Sequence, residues 1–343
     1  MILFRADGNK EIGAGHIMRC LSIADAFKRI GEECVFALAD DSMQGIITAR
    51  KYKAYVLKSD YRHMDSEIEE MMSVIGRFAP DMLIVDSYFV SKMYFESLRK
   101  NLRLIYMDDL AAFAYPVDVL INYNVYSLDI DYRKIYFRES ISYPTVLFGV
   151  EFTPLRKGFM NIAPKNQNKI CKDILISTGG SDLTHLALKL VRYIKKKNDG
   201  RHYHLLLGSM NSDDLEIYQL ASGISNIHIH SNVNDMKSLI YSCDIAVSAA
   251  GSTMYEICAC GVPIITYAIA DNQILGDKKF KELGLSLSCG DLRTECEPEV
   301  KIYNCIEKIS SDYMWRVNVG KKMQEYVDGY GADRIVHGLG FCS

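Results

Sequence analysis

The stretch "TPLRKGFMNIAPKNQNK", residues 153–169, decides how this chain is read. It is rich in Lys, Asn, Pro and Gly and shows no hydrophobic period, which marks a linker. The same pattern runs on either side of it. Before it come "MILFRA", "CVFALA", "MLIVDS", "LRLIYMDD", "VDVLINYN" and "TVLFG"; after it come "DILIST", "HLLLG", "NIHIH", "DIAVSAA" and "VPIITYA". Short apolar, β-branched runs separated by helix-length segments are the signature of parallel α/β sheets. Because the series restarts, the sequence predicts two Rossmann-like, doubly wound α/β domains, 1–152 and 170–312, with a C-terminal helix and tail over 313–343. The helix near Asp312–Asp328 carries Trp315, Val319, Met323 and Val327 near one face and suits either domain. Ligands of such sheets bind at the carboxyl ends of the strands, and an interdomain cleft would hold one ligand across both domains.

Composition narrows the ligand. The 343 residues are 49% hydrophobic and 24% charged, with a net charge of -3. No basic stripe is present, so no nucleic-acid partner is expected. Ten cysteines lie scattered, mostly in apolar runs, with no paired C-x-x-C framework, and read as reduced core thiols. The opening "MILFRADGNK" meets a charge after four residues, and no run approaches the ~18 apolar residues of a membrane span. A cytoplasmic protein without membrane insertion is expected. No His/Cys/Asp cluster has metal-ligand spacing, so neither metal nor cofactor is expected; His228 and His230, two apart, read as one strand face.

Three loops carry candidate chemistry. "EIGAGHIMRC", residues 11–20, places Gly13 and Gly15 before His16, where Ile17, Leu21, Ala24 and Phe27 begin a helical period. The glycines permit a tight strand-to-helix turn. His16 then sits at the sheet edge as a candidate general base, although G-x-G-H equally fits a histidine satisfied by a local backbone bond. "STGGSDLTH", residues 177–185, sets Gly179, Gly180 and Ser181 before Leu183, Leu186, Leu190 and Ile194; it suits a phosphate or sugar, or an ordinary capped turn. In "DIAVSAAGSTMYEICACGVPIITYAIADNQ" a strand ends at Gly251, and Ser252 and Thr253 open a helix whose N–H groups could hold a diphosphate. Glu256, one turn further, reads either as a carboxylate favoured by the helix dipole or as a ribose-binding acid. Asp271, Asn272 and Gln273 read as a polar loop suited to a polyhydroxylated ligand.

Taken in order, "RADGNKEIGAGHIMRCL", "MDDLA", "TGGSD", "AAGSTMYEICACGVP", "ADNQ" and "GYGADRIV" resemble the UDP-2,4-diacetamido-2,4,6-trideoxy-β-L-altropyranose hydrolases of pseudaminic acid synthesis. That family has the GT-B architecture and is similar to the N-acetylglucosaminyltransferase that completes the peptidoglycan lipid precursor. The resemblance implies that His16 activates the attacking water, that Glu256 binds the ribose, and that Gly251, Ser252 and Thr253 hold the phosphates. It further implies that Asn272 and Gln273 face the sugar and that the backbone near Val233 and Met236 holds the uracil. Arg19, Asp86 and Tyr88 join Gly13, Gly15, Gly179, Gly180 and Ser181 as substrate-binding candidates. Two stretches depart from the family: Ser87 stands where histidine is common, and residues 148–159 keep Gly149, Leu155 and Arg156 but are altered between.

The expected reaction is inverting hydrolysis of a UDP-sugar, with Asp7 orienting His16, a free sugar as product, and other enzymes of the same sugar pathway as partners. Two rivals share the binding features. A UDP-sugar glycosyltransferase would use a hydroxyl acceptor in place of water, and a non-catalytic sugar-nucleotide-binding protein would bind without turnover.

Overall fold

The computed structural model describes residues 1–99, 102–180, 182, 184–208 and 212–341. Ser181 and Leu183, named above, and Cys342, one of the ten cysteines, lie outside the described residues. The chain forms two compact units, residues 1–157 with 330–343, and residues 158–329. Each is a parallel-sheet α/β domain, so the expected fold class holds.

The first unit carries β1 (Ile2–Ala6), β2 (Cys34–Leu38), β3 (Lys53–Val56), β4 (Met82–Asp86), β5 (Arg103–Met107), β6 (Val119–Asn122) and β7 (Thr145–Phe148), with α1 (Gly15–Arg29), α2 (Gln44–Ala49), α3 (Ile68–Phe78), α4 (Lys92–Leu98) and α5 (Tyr132–Glu139) between them. Its strand order is β3-β2-β1-β4-β5-β6-β7, all parallel. Successive strand residues face opposite sides, and both sides are used. Leu3, Val35, Leu83, Val85 and Leu104 pack with Met71 and Val74 of α3 and Phe95 and Leu98 of α4. On the other side Phe4 stacks on Phe36, at 4.9 Å between ring centres, and meets Phe27 of α1 edge-on. Helices on both faces explain why the central strands read as nearly continuous apolar runs, with the buried Arg5 the exception in β1.

The second unit carries β8 (Asp173–Ser177), β9 (His202–Leu207), β10 (Ile227–Ser231), β11 (Ile245–Ala249), β12 (Ile264–Ala268) and β13 (Ser286–Asp291), with α6 (Leu186–Lys197), α7 (Asp214–Ala221), α8 (Met236–Ser242), α9 (Thr253–Ala259), α10 (Asp271–Glu282), α11 (Pro298–Ser311) and α12 (Tyr313–Tyr326). Its order is β10-β9-β8-β11-β12-β13. Ile174, Ile176, Leu205 and Val247 meet Leu190, Val191 and Ile194 of α6 and Ile302 and Ile306 of α11. His228 and His230 do share one face of β10, stacked with His202 and His204 of β9.

Two parts of the chain are placed differently from the sequence reading. Residues 158–169 are not a free linker but dock on the second unit. Gln167 donates to the Gly261 carbonyl at 2.9 Å, Asn168 donates to Asp244 at 2.7 Å, and the buried Arg316 of α12 holds the Asn168 and Lys169 carbonyls. Of the polar residues that suggested a linker, Gln167 satisfies a backbone carbonyl and Asn168 a carboxylate of the second unit. The tail is also divided: α12 belongs to the second unit, whereas α13 (Gly331–Gly338) returns to the first and packs on α1. There Arg29 pairs with Asp333, and Arg334 donates to the Glu151 carbonyl at 3.1 Å. The altered stretch 148–159 therefore includes part of the seat of α13. No helix among the described residues is long and apolar enough to cross a membrane.

Candidate functional site

In each sheet the strand order reverses direction once, between β1 and β4 in the first unit and between β8 and β11 in the second. Open α/β sheets form their binding crevice at that point, beyond the carboxyl ends of the strands. Asp7, Gly13, Gly15, His16 and Arg19 follow β1, Asp86 ends β4 with Tyr88 just after it, and Gly179, Gly180, Gly251, Ser252, Thr253 and Glu256 follow β8 and β11, whereas Val233 and Met236 follow β10 and Asn272 and Gln273 follow β12.

In the first unit, the loop after β1 folds on itself before α1 begins. The Asn9 side chain accepts from the Glu11 and Ile12 amides at 2.9 and 3.1 Å, and the Gly13 amide donates back to the Asn9 carbonyl at 2.8 Å. Gly13 takes φ +73, a conformation that a side chain would strain. Gly15 is the first residue of α1, so His16 projects from its first turn as expected. The His16 ring is buried and meets the Tyr88 ring edge-on, at 4.5 Å between centres.

Behind the histidine lies a charged network. Arg19, one helical turn on from His16, forks onto Asp86 through Nε and Nη2 at 2.6 and 2.5 Å. It also contacts Asp109 at 2.9 Å and donates to the Tyr123 hydroxyl at 2.9 Å. Asp109 in turn accepts from the Tyr88 hydroxyl at 2.9 Å and from Asn124 at 2.7 Å. Arg19 and Asp86 are buried and paired with one another, an arrangement that braces α1 against β4. Asp7 is likewise differently engaged: its carboxylate accepts from Arg5 at 2.5 Å and from the Ala39 amide at 2.8 Å. Among the described residues it makes no hydrogen bond to His16, whose ring is instead fixed by Tyr88.

Burial lowers the His16 pKa below the ordinary histidine value, because an imidazolium there would lose hydration. Asp86, Asp109 and Asp7 pull the other way, while Arg19 adds to the lowering. Burial also works against ionisation of Asp109, but the Arg19 charge and hydrogen bond outweigh it and hold the carboxyl below its usual range. The result is a neutral imidazole beside a compensated ion network. Sequence reasoning missed Asp109, Tyr123 and Asn124 as site residues. The signal was available in the consecutive acids of "MDDLA", directly after β5. The departure at Ser87 is local: its hydroxyl accepts from the Phe89 amide at 3.2 Å.

In the second unit, the loops after β8 and β11 flank the other reversal. Gly179 and Gly180 lie under Gly208 at the end of β9, where any side chain would overlap their carbonyls. The Asp182 carboxylate accepts from the Leu186 and Ala187 amides at 3.0 and 2.8 Å, so α6 starts later than the sequence pattern suggested. After β11, Gly251 and Ser252 lead into α9; the Ser252 side chain caps nothing. Among the described residues no acceptor lies on the Ser252 and Thr253 amides. Glu256 is half-buried in the first turn of α9. Val233 is half-buried in the loop before α8, and Met236 is the first residue of that helix, which Asp235 caps at the Ser238 amide.

Asp271, Asn272 and Gln273 form the first turn of α10 and not a loop. Gln273 reaches back to accept from the Ile269 amide at 2.9 Å, the work of a capping side chain, and Asp271 pairs with Arg293 at 2.8 Å. A polar cluster after a strand can cap a helix as readily as it can sit in a loop, and the sequence did not separate the two.

No family model matches the chain. A Helicobacter pylori protein named pseudaminic acid cytidylyltransferase and UDP-2,4-diacetamido-2,4,6-trideoxy-β-L-altropyranose hydrolase is 28% identical over 279 residues, 80% of this chain and 45% of that protein. A Campylobacter jejuni UDP-2,4-diacetamido-2,4,6-trideoxy-β-L-altropyranose hydrolase is 25% identical over 262 residues, 73% of this chain and 87% of that protein. An uncharacterized Methanocaldococcus jannaschii protein is 25% identical over 270 residues, 76% of this chain and 54% of that protein. The chain thus spans about half the length of the H. pylori and M. jannaschii relatives. Among solved structures, Acinetobacter baumannii MurG aligns with TM-score 0.66 at 14% identity over 98% of both chains. The calicheamicin glycosyltransferase CalG4 aligns with TM-score 0.67 at 15% identity over 99% of this chain and 98% of its own. With the two doubly wound sheets, these likenesses make this a GT-B protein whose sequence is similar to the UDP-2,4-diacetamido-2,4,6-trideoxy-β-L-altropyranose hydrolases.

Proposed function

We propose that the chain hydrolyses a UDP-activated 2,4-diacetamido-2,4,6-trideoxyhexose at its anomeric carbon, with inversion and without a metal, releasing UDP and the free sugar for nonulosonic acid synthesis. The observation that carries this reading is His16. It is an imidazole kept neutral by burial, presented at a sheet reversal by a dedicated glycine turn, in a chain with two relatives whose names include a UDP-sugar hydrolase. Neutral His16 accepts a proton from water as the water oxygen bonds to the anomeric carbon. The bond from that carbon to the UDP oxygen breaks, and the diphosphate charge is met by the Ser252 and Thr253 amides at the start of α9. Glu256 accepts the ribose hydroxyls.

The test is proton NMR of the purified chain with UDP-2,4-diacetamido-2,4,6-trideoxy-β-L-altrose, following the anomeric signals without acceptor. Free sugar of inverted configuration is expected at a rate unchanged by EDTA. UDP binding without release would reject the hydrolase assignment for this sugar. Replacing Glu256 with alanine is expected to weaken UDP binding by about tenfold or more, the scale of one or two charge-assisted hydrogen bonds, with a smaller change in kcat. Loss of turnover at unaltered affinity would instead place Glu256 in the chemistry.

The likeness to CalG4 favours a second reading, transfer of the sugar to a hydroxyl acceptor. In that case hydrolysis is slow and an added acceptor accelerates UDP release.

A further inference from the structure

Cys289 and Cys305 differ from the thiols that sit singly in the core. Cys289 lies in β13 and Cys305 in α11, and the Cys289 thiol donates to the Cys305 sulfur at 3.4 Å. By contrast, Cys34, Cys243 and Cys258 direct theirs to backbone carbonyls. The two partners are also unequal. Cys289 is buried, whereas Cys305 is half-buried and open to a small reagent. The donated hydrogen bond favours a thiolate on Cys305; burial opposes it, and Lys308 and Lys301 add positive charge nearby. The same pairing and burial push the Cys289 thiol up. One sulfur is thus suited to attack and the other to resolve.

We propose that Cys289 and Cys305 are a reversible redox pair, an intramolecular disulfide site oxidised by small disulfides of the glutathione class. The Cys305 thiolate attacks one sulfur of the oxidised reagent, forming a mixed disulfide and releasing one reduced thiol. Cys289 then loses its proton and attacks the Cys305 sulfur, closing the Cys289–Cys305 bond and releasing the second thiol. Two protein thiols are oxidised and one small disulfide becomes two thiols. The sulfurs need to close from 3.4 Å to about 2.05 Å. The bond ties α11 to the edge strand of the second sheet. That strand also supports α10, since Ser288 donates to Asp277 at 2.6 Å. The site is independent of the proposed reaction.

The test uses the full chain, folded, incubated with excess oxidised glutathione, then alkylated, digested and analysed by mass spectrometry. A peptide pair joining Cys289 to Cys305 is expected, lighter by about 2 Da than the sum of the two reduced peptides for the two hydrogens lost, and dithiothreitol should restore both thiols. In Cys289→Ser, Cys305 should stop at the glutathione adduct. Cys296, exposed on the connecting loop, reports the ordinary behaviour of an accessible thiol. The proposal is overturned if Cys289 and Cys305 are recovered alkylated and unlinked while Cys296 carries glutathione. It is equally overturned if the link forms only after denaturation.

Discussion

Substituting asparagine for His16 should lower turnover by about 10²- to 10⁴-fold, the usual contribution of a general base, while UDP affinity stays nearly unchanged. Asparagine keeps a polar group in the pocket beside Tyr88 but accepts no proton from water. The pH profile supplies a second readout. His16 is held below the ordinary histidine pKa by burial, so its basic form persists into mildly acidic solution. In the wild type, kcat/KM should fall only as pH drops through a value below about 6.5, and this acid limb should be missing from the variant. A parallel loss of kcat and UDP binding would show instead that the histidine is structural.

Replacing Arg19 with methionine should cost about 3–5 kcal/mol of stability, the penalty for removing one partner of a buried ion pair. Asp86 and Asp109 would remain buried beside each other without their shared cation. Urea unfolding checks the size, and its pH dependence checks the cause. In the wild type the Asp109 carboxyl is held below its usual range, so its contribution is present near neutrality and is lost as pH falls through that lowered value. In the variant the sign reverses: buried carboxylates without a cation have raised pKa values, and protonation on acidification relieves them. The stability gap between the two proteins should therefore narrow as pH falls. A gap that is small, or constant with pH, would mean that the network does not brace α1. Lysine at this position should rescue little, because it lacks the planar fork that meets Asp86 through two nitrogens while also reaching Asp109 and Tyr123.

The reach of sequence reasoning follows from where each residue gets its meaning. Doubly wound α/β organisation was legible because strands covered on both faces, such as β1, β4 and β11, are nearly continuous apolar runs, the buried Arg5 and Ser248 being the interruptions in β1 and β11. The two strands it passed over, β3 with "KAYV" and β13 with "SLSCGD", are edge strands, partly exposed and interrupted by polar residues. The placement of His16 in the first turn of α1 was legible too, since the glycine turn and the helical period are both local. The partners of that histidine were not local. Asp109 meets Arg19 from 90 residues away, and Tyr88 meets Asp109 across 21. Only the side-by-side arrangement of β1, β4 and β5 makes them neighbours. Asp7, close to His16 in sequence, gives one carboxylate oxygen to Arg5, two residues away, and the other to the Ala39 amide, 32 residues away on the neighbouring strand's loop. The polar run 153–169 reads as a linker because composition reports polarity but not what the polar groups bond to. By itself, then, the sequence determined the alternation of elements and the local geometry of each loop. Tertiary structure alone decided which charges compensate one another, because compensation depends on distances between strands that are remote along the chain.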